Sequence, residues 1–173
     1  MKCISLWQPH ASLIAIGEKT YETRSWYTPY TGPIAIHASK TQNETKALND
    51  RIAVLKAKPE LFPEDSGFTR AAYDAFKLWK EREGLASWNL GQLPFGAIVC
   101  TAELTGMYQA HLIHQSLTGR VRQFGDFGHG RWAWRLENVR MLKTPMPYRG
   151  QQGLWTLPDD VVGQLEAAES VQP

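Results

Sequence analysis

The arrangement of apolar stretches predicts an α+β protein built on a small curved sheet or barrel. Strand-like segments stand at the start (CISLW), in the middle (PIAIHAS and LPFGAIVCTAEL) and towards the end (RWAWRLENVRML and GLWTLP). Helical patterns fall between them, and no regular alternation of strand and helix supports a doubly wound sheet.

Each element has a local reason. CISLW alternates in strand fashion. In QPHASLIAIG, Pro9 suits a first helical turn and Gly17 a helix end. So short a helix leaves N–H groups near Gln8 to Ala11 open to water, a side chain or an anion. If residues 20–26 are extended, Thr20, Glu22, Arg24 and Trp26 share one face, with Lys19 at the turn before them. The turn-rich YTPYTGP leads into PIAIHAS, a buried strand ending at His37.

Residues 41–58 read as a helix. Thr41 and Glu44 suit a capping box, Leu48, Ile52 and Leu55 make a core stripe, and Pro59 stops it. A second helix runs from about Thr69 to Arg82, with Tyr73, Phe76 and Trp79 as packing residues and Gly84 at its close. LPFGAIVCTAEL is the clearest strand, β-branched and introduced by Pro-Phe-Gly. HLIHQS suits a short helix and RQFGDFGHGR a glycine-rich loop. In RWAWRLENVRML, Trp132, Trp134 and Leu136 alternate with Ala133, Arg135 and Glu137. The pattern gives one domain over 1–158, with a helical excursion at about 41–84 and a C-terminal helix or tail at 159–173.

The 173 residues suffice for a single hydrophobic core. No apolar run approaches the ~20 residues that span a bilayer, and MKCISLWQPH lacks the apolar region and cleavage site of a signal peptide. A cytoplasmic protein without a membrane partner is expected. Cys3 and Cys100 lie in apolar stretches and read as buried, reduced thiols.

The net charge of +2 says little, but its distribution says more. Between Arg120 and Arg149 stand seven cations, opposed only by Asp126 and Glu137. Such a stretch is either an electrostatic footprint for phosphates or a solvated loop face. The glycine-rich loop matches neither a P-loop nor a G-x-G-x-x-G pattern. His111 and His114 have the spacing of two helical metal ligands but no third, so no metal or cofactor is expected. His37 reads as a core histidine or a proton shuttle, and His129 with Arg131 as a phosphate contact.

The densest chemistry lies in GEKTYETRSW, where Lys19 and Arg24 bracket Glu22 and Trp26 follows. The pattern G-x-K-x-x-E-x-R, in order with ISLWQPHASLI, SWYTPYTGPIAIHA, LPFGAIVCTAEL, WAWRLENVRML and GQQGLW, resembles the ASCH (activating signal cointegrator homology) domain family. The resemblance implies a PUA-like fold, a β-barrel with surrounding helices, here with a helical insertion. It implies a cleft for RNA or other nucleic acid, lined by Lys19, Glu22 and Arg24, with Gln8 and Pro9 at the nearby helix start. It also implies that enzymes occur among the relatives, including an amidohydrolase acting on acetylated cytidine and a ribonuclease. The chain departs from those patterns. His10 stands where many relatives have Trp, Glu22 where the amidohydrolases have Thr, and HLIHQSLTGR offers no carboxylate for their third catalytic position.

Three functions follow. In the first, the cleft binds RNA, DNA or a nucleotide-sized ligand through Gln8, Lys19, Glu22, Arg24 and Arg131, with Trp26 and Tyr30 as exposed stacking rings. In the second, Lys19 and Glu22 carry proton transfer in a hydrolase acting on a modified nucleoside or an RNA strand, and Arg24 stabilises developing charge. In the third, the helical excursion is a protein-interaction surface, with Arg51 and Lys80 on it.

Overall fold

The computed structural model describes residues 1–63, 67–85 and 89–170. Among the described residues are six strands and five α-helices: β1 (Lys2–Leu6), α1 (His10–Ala15), β2 (Tyr21–Arg24), β3 (Gly32–Ala38), α2 (Asn43–Ala57), α3 (Phe68–Arg82), β4 (Ala97–Gln109), α4 (Ala110–Ile113), β5 (Trp132–Pro147), β6 (Leu154–Thr156) and α5 (Asp159–Ser170). The sheet order is β2–β5–β4–β3–β1–β6. β1 runs parallel to β3, and the other neighbours are antiparallel. The sheet curls into a half-barrel with the helices around it, the α+β architecture expected. Register shifts between the long strands β4 and β5 accompany that curl, because a bulge bends and twists its strand.

The main core joins Ile4, Ile34, Ile36, Leu104 and Trp134 from four strands. Burying each such side chain contributes about 1.5–3 kcal/mol. A second core packs Leu48 and Ile52 of α2 and Phe76 of α3 against Leu13 of α1 and Phe124. The helical excursion is therefore fastened to α1 and to the segment before β5. A third core sets Val161 and Leu165 of α5 against Cys3, Trp155 and Leu157. Of the tail expected at 159–173, the last three residues lie outside the described residues.

Several local expectations change. The motif strand ends at Arg24, leaving Trp26 beyond it. The Thr41–Glu44 capping box is absent: Gln42 is the N-cap of α2 and makes no side-chain cap bond. Glu44 instead lies 3.9 Å from His10 Nε2. On β5 the alternation is blurred, since Ala133 is buried under Ala110 and Phe127 while Trp134 fills the opposite face. Both cysteines are buried, and burial pushes their thiols well above the ordinary range, so they remain protonated and inert. Among the described residues, no helix is long and apolar enough to cross a membrane.

Candidate functional site

The site begins with a backbone reversal. Gly17, at φ 81°, takes a left-handed conformation that favours a residue without Cβ. The chain then folds back so that the N–H groups of Glu18 and Lys19 both reach the Leu13 carbonyl, at 3.0 Å each. This turn sends Lys19 inward, where its side chain is 2% exposed. Lys19 Nζ donates to the main-chain carbonyl of Phe124 and lies 3.3 Å from Glu22 Oε2. The other oxygen of Glu22 lies 3.0 Å from Arg24 Nε, and Arg24 Nη2 donates to the Ser5 carbonyl at 3.2 Å. A carboxylate is thus pinned between two cations along β2.

The loop before β5 completes the wall. Asp126 N–H donates to Thr23 Oγ1 at 3.0 Å, and Arg131 Nη2 donates to the Thr23 carbonyl at 3.1 Å. Arg131 Nε also lies 3.2 Å from Asp126 Oδ2. These groups enclose a cleft of about 320 Å³, with Trp7 and His10 also lining it. That volume lies at the small end of ligand pockets. Three cations (Lys19, Arg24, Arg131) face three carboxylates (Glu22, Glu44, Asp126), so the lining is balanced in charge.

Burial holds the Lys19 ammonium below the ordinary lysine range, with the Glu22 charge opposing that shift. His10 is pulled down to about 4, first by burial and then by the Lys19 charge. It is neutral at pH 7, and its approach to Glu44 is no ion pair at that pH. Trp7, 54% exposed, puts an indole on the rim.

Lys19, Glu22, Arg24 and Arg131, chosen from the sequence, converge on this cleft. Gln8 and Tyr30 do not line it. Gln8 is fully buried; its amide donates to Ser12 Oγ (2.8 Å) and the Pro94 carbonyl (2.7 Å), and its oxygen accepts from Ser12 N–H (3.1 Å). Gln8 therefore satisfies the Ser12 N–H in the first turn of α1 from within the protein, and is not turned towards a ligand. Tyr30 donates to the Pro33 carbonyl at 2.5 Å and packs on the main core. Trp26 meets Trp134 edge-on at 4.6 Å and lines the neighbouring groove rather than the cleft.

The basic stretch is not a continuous footprint. Arg120 pairs with Glu18, Arg131 with Asp126, Arg135 with Glu137 and Arg140 with Glu169. His111 stacks on His129 with ring centroids 4.1 Å apart. The sequence reading missed the Phe124 carbonyl, Thr23, Asp126 and Glu44. Only Glu44 had a visible signal, and the N-terminal turn of α2 offered it a more familiar role.

A protein-family comparison now bears on this geometry: the ASCH domain model matches residues 4–145. The chain belongs to the ASCH domain family. Activating signal cointegrator 1 of Mus musculus is 39% identical over 66 residues, covering 36% of this chain and 11% of that protein. The Homo sapiens protein of the same name matches to the same extent. The chain thus spans about a tenth of the length of these curated relatives. A crystal structure of ASCH from Zymomonas mobilis aligns with a TM-score of 0.53 and 16% identity, covering 96% of this chain and 93% of that one. A single-substitution variant of it aligns at 0.51 and 14%, covering 96% of each chain. At such identity the likeness establishes the fold. In this ASCH domain, Gly17 makes the turn and Lys19, Glu22 and Arg24 form the linked set inside the cleft.

Proposed function

We propose that the cleft receives one unstacked base of a single-stranded nucleic acid, RNA in preference to DNA. The observation that carries this is the Glu22 carboxylate, pinned by Lys19 and Arg24 on the wall of a charge-balanced cavity. A carboxylate has about four acceptor sites, and its two cations leave some free for the N–H groups of a base edge. Balanced charge suits a neutral base better than a phosphate, which a cationic lining would favour. Trp7 on the rim supplies a face for stacking. The association of the PUA-like ASCH fold with RNA binding supports RNA over DNA.

Calorimetry with nucleosides and short RNA and DNA strands tests the reading. Binding that Lys19→Ala abolishes supports it. No binding by any base, or binding indifferent to Lys19 and Glu22, overturns it and moves the interaction-module reading forward.

A second reading has its own support. Burial lowers the proton affinity of Lys19, bringing it closer to a working base, with Glu22 beside it as a proton carrier. In that case the cleft is the active site of a hydrolase on a modified nucleoside or RNA strand, and Arg24 stabilises developing negative charge. Product formation that stops in Glu22→Gln while binding persists distinguishes this from a reader.

A further inference from the structure

Beside the cleft runs a second, wider groove of about 980 Å³. The two share Ser5, Trp7 and Arg24, so they are continuous. Their linings differ in kind. The groove carries Arg24, Lys40 and Arg149 and, among the described residues, no carboxylate.

Its inner wall holds polar atoms without partners. Ser5 of β1 is in register with His37 of β3, so the two project from one face, and Ser39, just past the end of β3, lines the same groove. Ser5 Oγ, His37 Nδ1 and Ser39 Oγ are all buried and make no hydrogen bond within the protein. His37 is 2% exposed. Its Nε2 lies 3.0 Å from the Tyr148 carbonyl. A carbonyl only accepts, so Nε2 carries the proton, and burial keeps the ring neutral. Nδ1 is then a bare acceptor. Leaving such a group buried and unpaired is unfavourable, and a cluster of three calls for an occupant.

Gly150 covers two of these atoms, His37 Nδ1 and Ser5 Oγ. A Cβ built there would stand 2.7 Å from His37 Nδ1 and 2.8 Å from Ser5 Oγ, so no larger residue fits without displacement. The segment that covers these two atoms thus touches them through a bare backbone.

We propose that the groove is a second nucleotide subsite, taking the residue next to the base held in the cleft. His37 Nδ1 accepts an N–H of that base, and the Ser5 and Ser39 hydroxyls complete its polar contacts. Arg24, Lys40 and Arg149 hold the connecting phosphodiester, and Gly150 shifts to admit the base. This rests on the reading of the cleft as a base site. Arg24, shared by the two chambers, stands where a phosphate between two bound nucleosides would pass.

The experiment compares 5′-mononucleotides with dinucleotides, in ribo and deoxyribo series, on the full chain carrying ¹⁵N-labelled histidine. The best dinucleotide should bind at least about tenfold more tightly than the best mononucleotide, as one added stacked base allows. The His37 Nδ1 resonance should move with dinucleotides and stay still with mononucleotides. His37→Phe should bring dinucleotide affinity down to the mononucleotide level. Should that variant not fold, Arg149→Gln should remove most of the gain. Comparing the ribo and deoxyribo series identifies which strand the groove prefers. Mononucleotide binding without a dinucleotide gain, or a stationary His37 signal, overturns this subsite alone and leaves the three atoms as a site for structural water. Absence of binding by every nucleotide overturns the base reading of the cleft together with this one.

Discussion

The buried ammonium of Lys19 donates to the main-chain carbonyl of Phe124, 105 residues further along the chain. The start of the motif strand and the loop before β5 are thereby held by one side chain. Lys19→Met should leave that carbonyl without its donor and Glu22 with Arg24 as its one remaining cation. Breaking a buried pair of this kind costs on the order of 3 kcal/mol. Urea unfolding measures it, and a loss below about 1 kcal/mol would show that the clamp is mechanically unimportant.

His10 should titrate near pH 4 by NMR rather than near 6.5. The direction of its effect follows from linkage. The unfolded chain takes up this proton at about 6.5 and the folded chain only near 4, so between these values the unfolded state binds more protons. Stability contributed by neutral His10 is present above pH 6.5 and is lost as pH falls towards 4. The side chain is partly exposed, which limits the loss to about 1–2 kcal/mol. His10→Phe should flatten that portion of the pH profile.

How much of this was written in the local sequence depends on distance along the chain. Lys19, Glu22 and Arg24 were legible because strand periodicity and a single turn bring them together without help from elsewhere. The Phe124 carbonyl and Asp126 were not, because their places are set by packing across the whole sheet. Backbone carbonyls also have no signature in a sequence. Gln8 and Tyr30 were misplaced for a related reason. A side chain able to bind a ligand is equally able to bind the protein, and Ser12, Pro94 and Pro33 stood nearer. The curl of the sheet was legible only as a sequence of strands, since bulges in β4 and β5 are outcomes of pairing.

Glu22→Gln keeps shape and removes charge. Under the base-reading proposal it should weaken nucleoside binding by about 10- to 100-fold, the value of a hydrogen bond to a charged group, about 1.5–3 kcal/mol. Calorimetry on wild type and variant provides the comparison. Equal affinities would remove Glu22 from recognition.

Gly150→Ala should destabilise the protein by about 1–3 kcal/mol, because its Cβ would crowd the His37 ring and Ser5 hydroxyl. Adding His37→Ala should relieve most of that overlap, so the two changes should be less than additive. Strict additivity in a double-mutant cycle would mean that the crowding lies elsewhere.

Cys3 and Cys100 should resist a thiol reagent at pH 8 in the folded protein and react at once when it is unfolded. Rapid labelling of native protein would contradict the closed core around them.

The unequal charge of the two chambers has a consequence for how a strand would be gripped. Counterions are released only where cations meet phosphates, and each such contact on a single strand adds about 0.7 to the logarithmic dependence of affinity on salt. The cleft, balanced in charge, releases almost none, while in the groove, which no carboxylate lines among the described residues, Lys40 and Arg149 add cations to Arg24, itself paired with Glu22. Ionic strength would then govern how long a strand is held, and the identity of the base would govern which strand it is, through two parts of one continuous surface.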